Sequence, residues 1–496
     1  MNTPKEPFFA PGKFPFGLLA GFITLIVILL LPTPEGLTIA GHRALAILVF
    51  AVVVWITEAI SYEASSIIIL SLIIFLIGLS PSINPNVVAG TLWGTKESLS
   101  LALGGFSNAA LALVAAALFL AACMTYTGLD RRIALTTMNL VGTSTKSIFI
   151  GTVLVTIILS LVVPSATARS AAMIPVILGI IAAFGVDKRS NLAAGLMIVV
   201  AQSISIWNVG IQTAAAQNLL TVGFMESMLG ERVAWVNWFI AGVPWSIIMS
   251  VVLVIITMKF FPPEVKGLQG GQETVRKQIA ELGTMTSAQK RLLLVTLGLI
   301  CVWATEGKLH SYSTTATTTV ALAILLLPKI GVISWKDIQS RVPWGTVIVF
   351  GVGISLGTTI LQTQAGAWLG SQIISKTGLD AFGPVMVFAI LAAFLIVIHL
   401  GFASATALSS SMIPIMISLI EKLPDDINRI GMTMVLGFVI SYGFILPINA
   451  PQNMVCLGTE TFNAKQFAKV GIAITLVGYL LMLIFAGTYW KWLGIL

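Results

Sequence analysis

Apolar runs of about 20 residues recur from one end of the chain to the other, the length that a helix needs to cross a bilayer. In order they predict helices over about 15–31, 43–60, 64–79 and 108–125, then 192–224, 236–258, 292–306, 314–329, 345–362, a broken segment at 430–455, and 468–490. The first run is followed by Pro32 and Pro34 and carries no A-x-A cleavage site, so it is read as a retained first helix.

Two polar stretches interrupt this pattern. One reads Pro164-Ser165-Ala166-Thr167-Ala168-Arg169 and continues to Met173-Ile174-Pro175; the other reads Ser404-Ala405-Thr406-Ala407 and continues to Met412-Ile413-Pro414. Each lies between two rather short apolar arms, about 148–163 and 170–186 in the first case and about 383–400 and 409–421 in the second. A hydroxyl-rich turn between apolar arms belongs inside protein or at a water-filled cavity, which predicts two re-entrant hairpins. Two helices carry breaks of their own, at Trp207–Gln212 in the 192–224 run and at Pro447–Asn453 near the end.

These features repeat. Ser-Ala-Thr recurs 239 positions on (404 minus 165), and Met-Ile-Pro does so as well (412 minus 173). Val54-Trp55-Ile56-Thr57-Glu58 matches Val302-Trp303-Ala304-Thr305-Glu306, and Gln217-Asn218 matches Gln452-Asn453. Paired interruptions in corresponding halves are the sequence mark of a transporter with its binding site near the midplane.

Composition sharpens the class. Hydrophobic residues make up 57% of the chain and charged residues 9%, which excludes an ordinary soluble domain. The net charge of +8 fits cytoplasmic loops rather than nucleic acid. An N-terminus inside places Arg131, Arg132, Lys146, Lys188, Arg189, Lys329, Lys336, Arg341, Lys465 and Lys469 on the cytoplasmic side, provided that both hairpins return to their own face. The second helix then runs inward and its match outward, so the repeats are inverted. The expectation is an all-α polytopic membrane protein with about eleven transmembrane helices, two re-entrant hairpins and two broken helices. It divides into an N-terminal segment (1–42), a first repeat (43–260), a cytoplasmic linker (261–291) and a second repeat (292–496).

At each tip a helix N-terminus presents free backbone N–H groups and partial positive charge. Ser165, Thr167, Ser404 and Thr406 add hydroxyls, and the alanines admit an anion closely. Two such ends across a cavity suit a ligand with two separated carboxylates; the plainer reading of small residues as helix-packing positions loses force when two copies align. Arg169 and His399 sit at membrane depth beside the tips, where ionisable residues are functional by default, set against a structural imidazole bonded to a carbonyl for His399 and a snorkelling or loop residue for Arg169. Glu58 and Glu306, at helix ends, are read as structural. The three histidines and three cysteines occupy separate segments without metal spacing, so neither an enzyme, a metal nor a cofactor is expected.

With these tips, breaks and repeats, the whole chain resembles the divalent anion–sodium symporter family of di- and tricarboxylate transporters. The resemblance implies substrate contacts from Ser165, Ala166, Thr167, Ser404, Ala405 and Thr406, from Asn449, Ala450 and Pro451, and from Ala214 and Ala215 opposite, with Asn449 as a reader of a substrate hydroxyl. It also implies a moving transport domain, a scaffold that forms a homodimer, and sodium ions behind the tips of sodium-coupled members. This sequence departs from that pattern. Ala166 and Ala405 replace tip asparagines, Leu161 and Leu400 stand where hydroxyl residues are expected, and Ala214–Ala216 replace hydroxyl and proline at the first break. Arg169 and His399 supply positive charge nearby, as in the family's exchanger branch.

The expected function is therefore exchange of dicarboxylate or tricarboxylate anions, such as succinate or citrate, across a bacterial plasma membrane without sodium. Permanent internal cations would penalise the return of an empty site, making exchange obligatory. The nearest alternative is a sodium- or proton-coupled symporter of the same anions or of an inorganic divalent anion such as sulfate. The other partners expected are membrane lipid and a second copy of the chain.

Overall fold

In a bilayer every backbone N–H and C=O needs an internal partner, so long apolar segments become helices. The computed structural model describes residues 16–496 apart from 85, 89, 143 and 266–270, and its regular structure is helical. The start of the N-terminal segment and part of the linker lie outside the described residues. Among the described residues, nine helices are long and apolar enough to cross a membrane, and shorter apolar helices such as Phe16–Leu30 and Arg429–Val439 accompany them.

The helix Asn191–Gly210 is the core element: every residue from Leu192 to Gly210 is buried. A helix apolar on all sides belongs at the centre of a bundle. Around it pack Thr145–Val162, Ala166–Ala183, Trp235–Phe260 and Pro451–Leu457. Two glycines let neighbouring backbone come close beside the breaks. A Cβ at Gly242 would lie 2.6 Å from the Val209 carbonyl oxygen. One at Gly471 would overlap the Phe444 carbonyl oxygen. Val209, in the last turn before the first break, and Phe444, inside a second break that runs from Ile440 to Ala450 and leaves Pro451–Asn453 helical, are 235 residues apart (444 minus 209).

Several expectations need correction. The arms of the first hairpin are full-length helices of 18 residues each, long enough to span, not short. The second arms begin at Ala166 and Ala405, about one turn earlier than the apolar pattern indicates, because serine caps start them. The first break falls at Ile211–Ala215; Trp207–Gly210 remain helical. Short helices also stand where the apolar pattern shows loops or nothing, among them Thr95–Leu103, Leu129–Asn139, Gly271–Glu281 and Ala365–Thr377. The third of these lies in the linker and packs on Leu129–Asn139 and on the first hairpin. Arg132, read as a loop residue, donates from Leu129–Asn139 to the Leu282 and Gly283 carbonyls (2.9 and 3.0 Å) and to Gln289 (3.1 Å). The linker is thus fastened to the first repeat.

Candidate functional site

The two tips are built alike. Ser165 caps Ala166–Ala183, its Oγ accepting from the Ala168 amide at 3.3 Å, and Ser404 caps Ala405–Ile420, accepting from Ala407 at 3.3 Å. An accepting serine retains its own O–H for donation. Each helix therefore starts with a hydroxyl and free amides directed at whatever lies ahead of it.

The breaks are equally matched. Ala215 (φ −146°, ψ 142°) and Ala450 (φ −153°, ψ 138°) are extended residues between a 3₁₀ turn and a new helix. Asn218 donates across the first break to the Asn208 and Ile211 carbonyls (2.6 and 3.1 Å). Asn453 donates across the second to the Gly443 carbonyl (2.8 Å). These side chains satisfy carbonyls that a broken helix leaves without partners. The preceding glutamines reach the other repeat: Gln217 donates to Ser441 (3.2 Å) and Gln452 to Ser205 (3.0 Å). This reciprocity relates the halves by the pseudo-twofold that the repeat implies.

Tips and breaks enclose a cavity of about 520 Å³. Its wall contains Ser165, Ala166, Thr167, Ser404, Ala405, Thr406, Ala215, Ala450, Pro451 and His399. It also contains residues that the sequence reading did not assign to a site: Gln217, Gln452, Ser441, Thr125, Thr346 and Arg341. The glutamines were visible as a repeated pair; the others carried no sequence signal. Among the described residues, no acidic side chain lines the cavity.

Three expected site residues lie behind this wall. Asn449 is 1% exposed, and its amide is used internally: Nδ2 donates to the His399 and Phe402 carbonyls (2.8 and 2.9 Å), and Oδ1 accepts from the Leu446 amide. It clamps the second hairpin to the second break and is not placed to read a substrate hydroxyl. Ala214 is fully buried, and its carbonyl accepts from Arg169 at 2.9 Å. Arg169 is itself fully buried and turned away from the cavity. It donates to Ser160 Oγ, to Asn208 Oδ1 at 2.5 Å, to the Ala214 carbonyl and, at 3.4 Å, to the Ser165 carbonyl. The hydroxyl behind the first tip is thus Ser160, one residue before Leu161. His399 borders the cavity, with Nε2 3.3 Å from the Asn449 carbonyl oxygen and Nδ1 without a protein partner.

A family model for the sodium:sulfate symporter transmembrane region matches residues 15–496. The chain belongs to this family of divalent anion–sodium symporters. A Cupriavidus necator chain described as a membrane protein is 62% identical over 479 residues, covering 97% of this chain and 93% of that one. Sodium-dependent dicarboxylate transporters named SdcS are similar across nearly the whole length. The Staphylococcus saprophyticus protein is 29% identical, covering 94% of this chain and 90% of its own, and that of Staphylococcus aureus is 27% identical, covering 97% and 91%. Two solved transporters share the fold at low identity. The Alcanivorax borkumensis YdaH transporter aligns with TM-score 0.59 at 14% identity, covering 86% of this chain and 97% of its own. Neisseria gonorrhoeae MtrF aligns with TM-score 0.51 at 13% identity, covering 88% and 94%.

Proposed function

We propose that this protein is a secondary transporter of dicarboxylate anions in a bacterial plasma membrane. The observation that carries the reading is the pair of identically capped tips bordering one cavity that has hydroxyls, amide groups and no acidic side chain. Each tip offers donors and helix-end charge to one carboxylate. Ser165, Thr167, Ser404 and Thr406 are the proposed ligands, with Ala166, Ala405, Ala215, Ala450 and Pro451 shaping the floor.

For coupling, the SdcS relatives are named sodium-dependent, which favours a cation-coupled symporter. The expectation of sodium-independent exchange finds no support in these relatives. It is kept as a second reading on one observation: the Arg169 guanidinium fills the oxygen-lined space behind the first tip, where the resemblance implies a sodium ion. We extend the proposal to an inside N-terminus and a homodimer formed by the scaffold helices.

The test uses purified protein in liposomes, either empty or preloaded with unlabelled succinate, malate, 2-oxoglutarate or citrate. Uptake of labelled succinate is followed in sodium and in choline. Sodium-driven uptake into empty vesicles establishes symport, and uptake confined to preloaded vesicles and indifferent to sodium establishes exchange. No carboxylate uptake under any condition refutes the reading. In the active mode, Arg169→Ala and His399→Ala are expected to abolish or strongly reduce the rate.

A further inference from the structure

Among the described residues, the cavity wall holds one permanently charged side chain, and it belongs to no tip and no break. Arg341 lines the cavity and is exposed, as are Pro343 and Thr125, with Thr346 half-buried, so this part of the wall lies toward the opening. Its guanidinium carbon stands 5.0 Å from the centroid of the Tyr126 ring. Among the described residues the ion pairs are Lys188–Glu460 and Arg429–Asp425, so no carboxylate holds Arg341. A ring face holds a guanidinium by its quadrupole and leaves the N–H fork free to donate.

The backbone on either side is anchored. Ile338 and Val342 are buried, and the Arg341 amide donates to the Ile338 carbonyl at 2.8 Å. Phe119 stacks on Trp335 at 5.3 Å and meets Trp344 edge-on at 5.7 Å, while Trp344 Nε1 donates to the Gln339 carbonyl at 2.8 Å. Three aromatic rings thus fasten the segment to the helix Ala109–Thr127. The positive charge is held at the rim, not swung on a loose loop.

We propose that Arg341 is a specificity-determining residue that captures dianionic substrate at the cytoplasmic mouth and passes it to the tips. The proposal rests on the carboxylate reading above and on the orientation drawn from the basic loops. Arg169 is enclosed by its own oxygens, so a carboxylate entering the cavity meets its first full positive charge at Arg341. A single charge at the mouth of a low-dielectric cleft raises the local concentration of a dianion and favours two negative charges over one. Such an effect is screened once the Debye length falls to a few ångströms.

The experiment measures KM and Vmax for succinate from the cytoplasmic side, at fixed sodium and internal substrate, in low and in high choline chloride. The proteins are wild type, Arg341→Lys, Arg341→Gln and Arg341→Glu, with thermal stability recorded alongside. In low salt the glutamine variant is expected to raise KM about tenfold. The glutamate variant should raise it further, the lysine variant should stay near wild type, and Vmax should change little. The salt dependence of KM should flatten in the glutamine variant. An unchanged KM and salt slope in that variant, with active wild type, overturns the role of Arg341 alone. Equal damage in all three variants overturns it in favour of a structural role. A wild type that carries no dicarboxylate removes the carboxylate reading and this proposal together.

Discussion

Ser165 and Ser404 were conspicuous in the sequence as a repeated hydroxyl motif, and both prove to be helix caps facing one cavity. Replacing either by alanine should lower stability by about 1 kcal/mol, and by glycine only a few tenths, as read from thermal unfolding in detergent. Asn218 and Asn453 were equally visible as a repeated pair, but their task was not. It depends on carbonyls up to ten residues upstream that only a particular break exposes. Asn218→Ala or Asn453→Ala strands buried carbonyls and should cost roughly 1–3 kcal/mol, exceeding the serine changes in the same assay. Asn449 shows the opposite failure. A polar residue at a break reads as a ligand until the three-dimensional neighbours that consume its amide are known.

At the scale of elements, the long helices were legible because span length and hydropathy dictate them almost alone. What escaped were short helices with one apolar face, such as Leu129–Asn139, whose buried Leu129, Ala134, Leu135 and Met138 are separated by Asp130-Arg131-Arg132 and Thr136-Thr137. An apolar-run criterion does not detect a stripe of that kind. The close glycine contacts beside the breaks were also hidden, since a glycine in an apolar run carries no address. Gly242→Ala and Gly471→Ala should each push a neighbouring helix away from a break. The expected cost is about 1–3 kcal/mol for each, with larger loss at Gly471, where the added methyl would overlap a carbonyl. Limited proteolysis near Val209 and Phe444 would register the loosened packing.

For the whole molecule, the duplication was readable from matched motifs, whereas the cross-bonding of the two halves was not. Gln217 finds Ser441 and Gln452 finds Ser205, so each half completes the other's interior. Expressed alone, residues 1–291 or 292–496 should be degraded or aggregate; co-expressed, they should assemble and recover uptake, with co-purification as the check. A single repeat would leave its glutamine buried without a partner unless a second copy supplied the serine from the opposite direction. The polar interior is therefore finished only where the two halves meet, one glutamine and one serine coming from each.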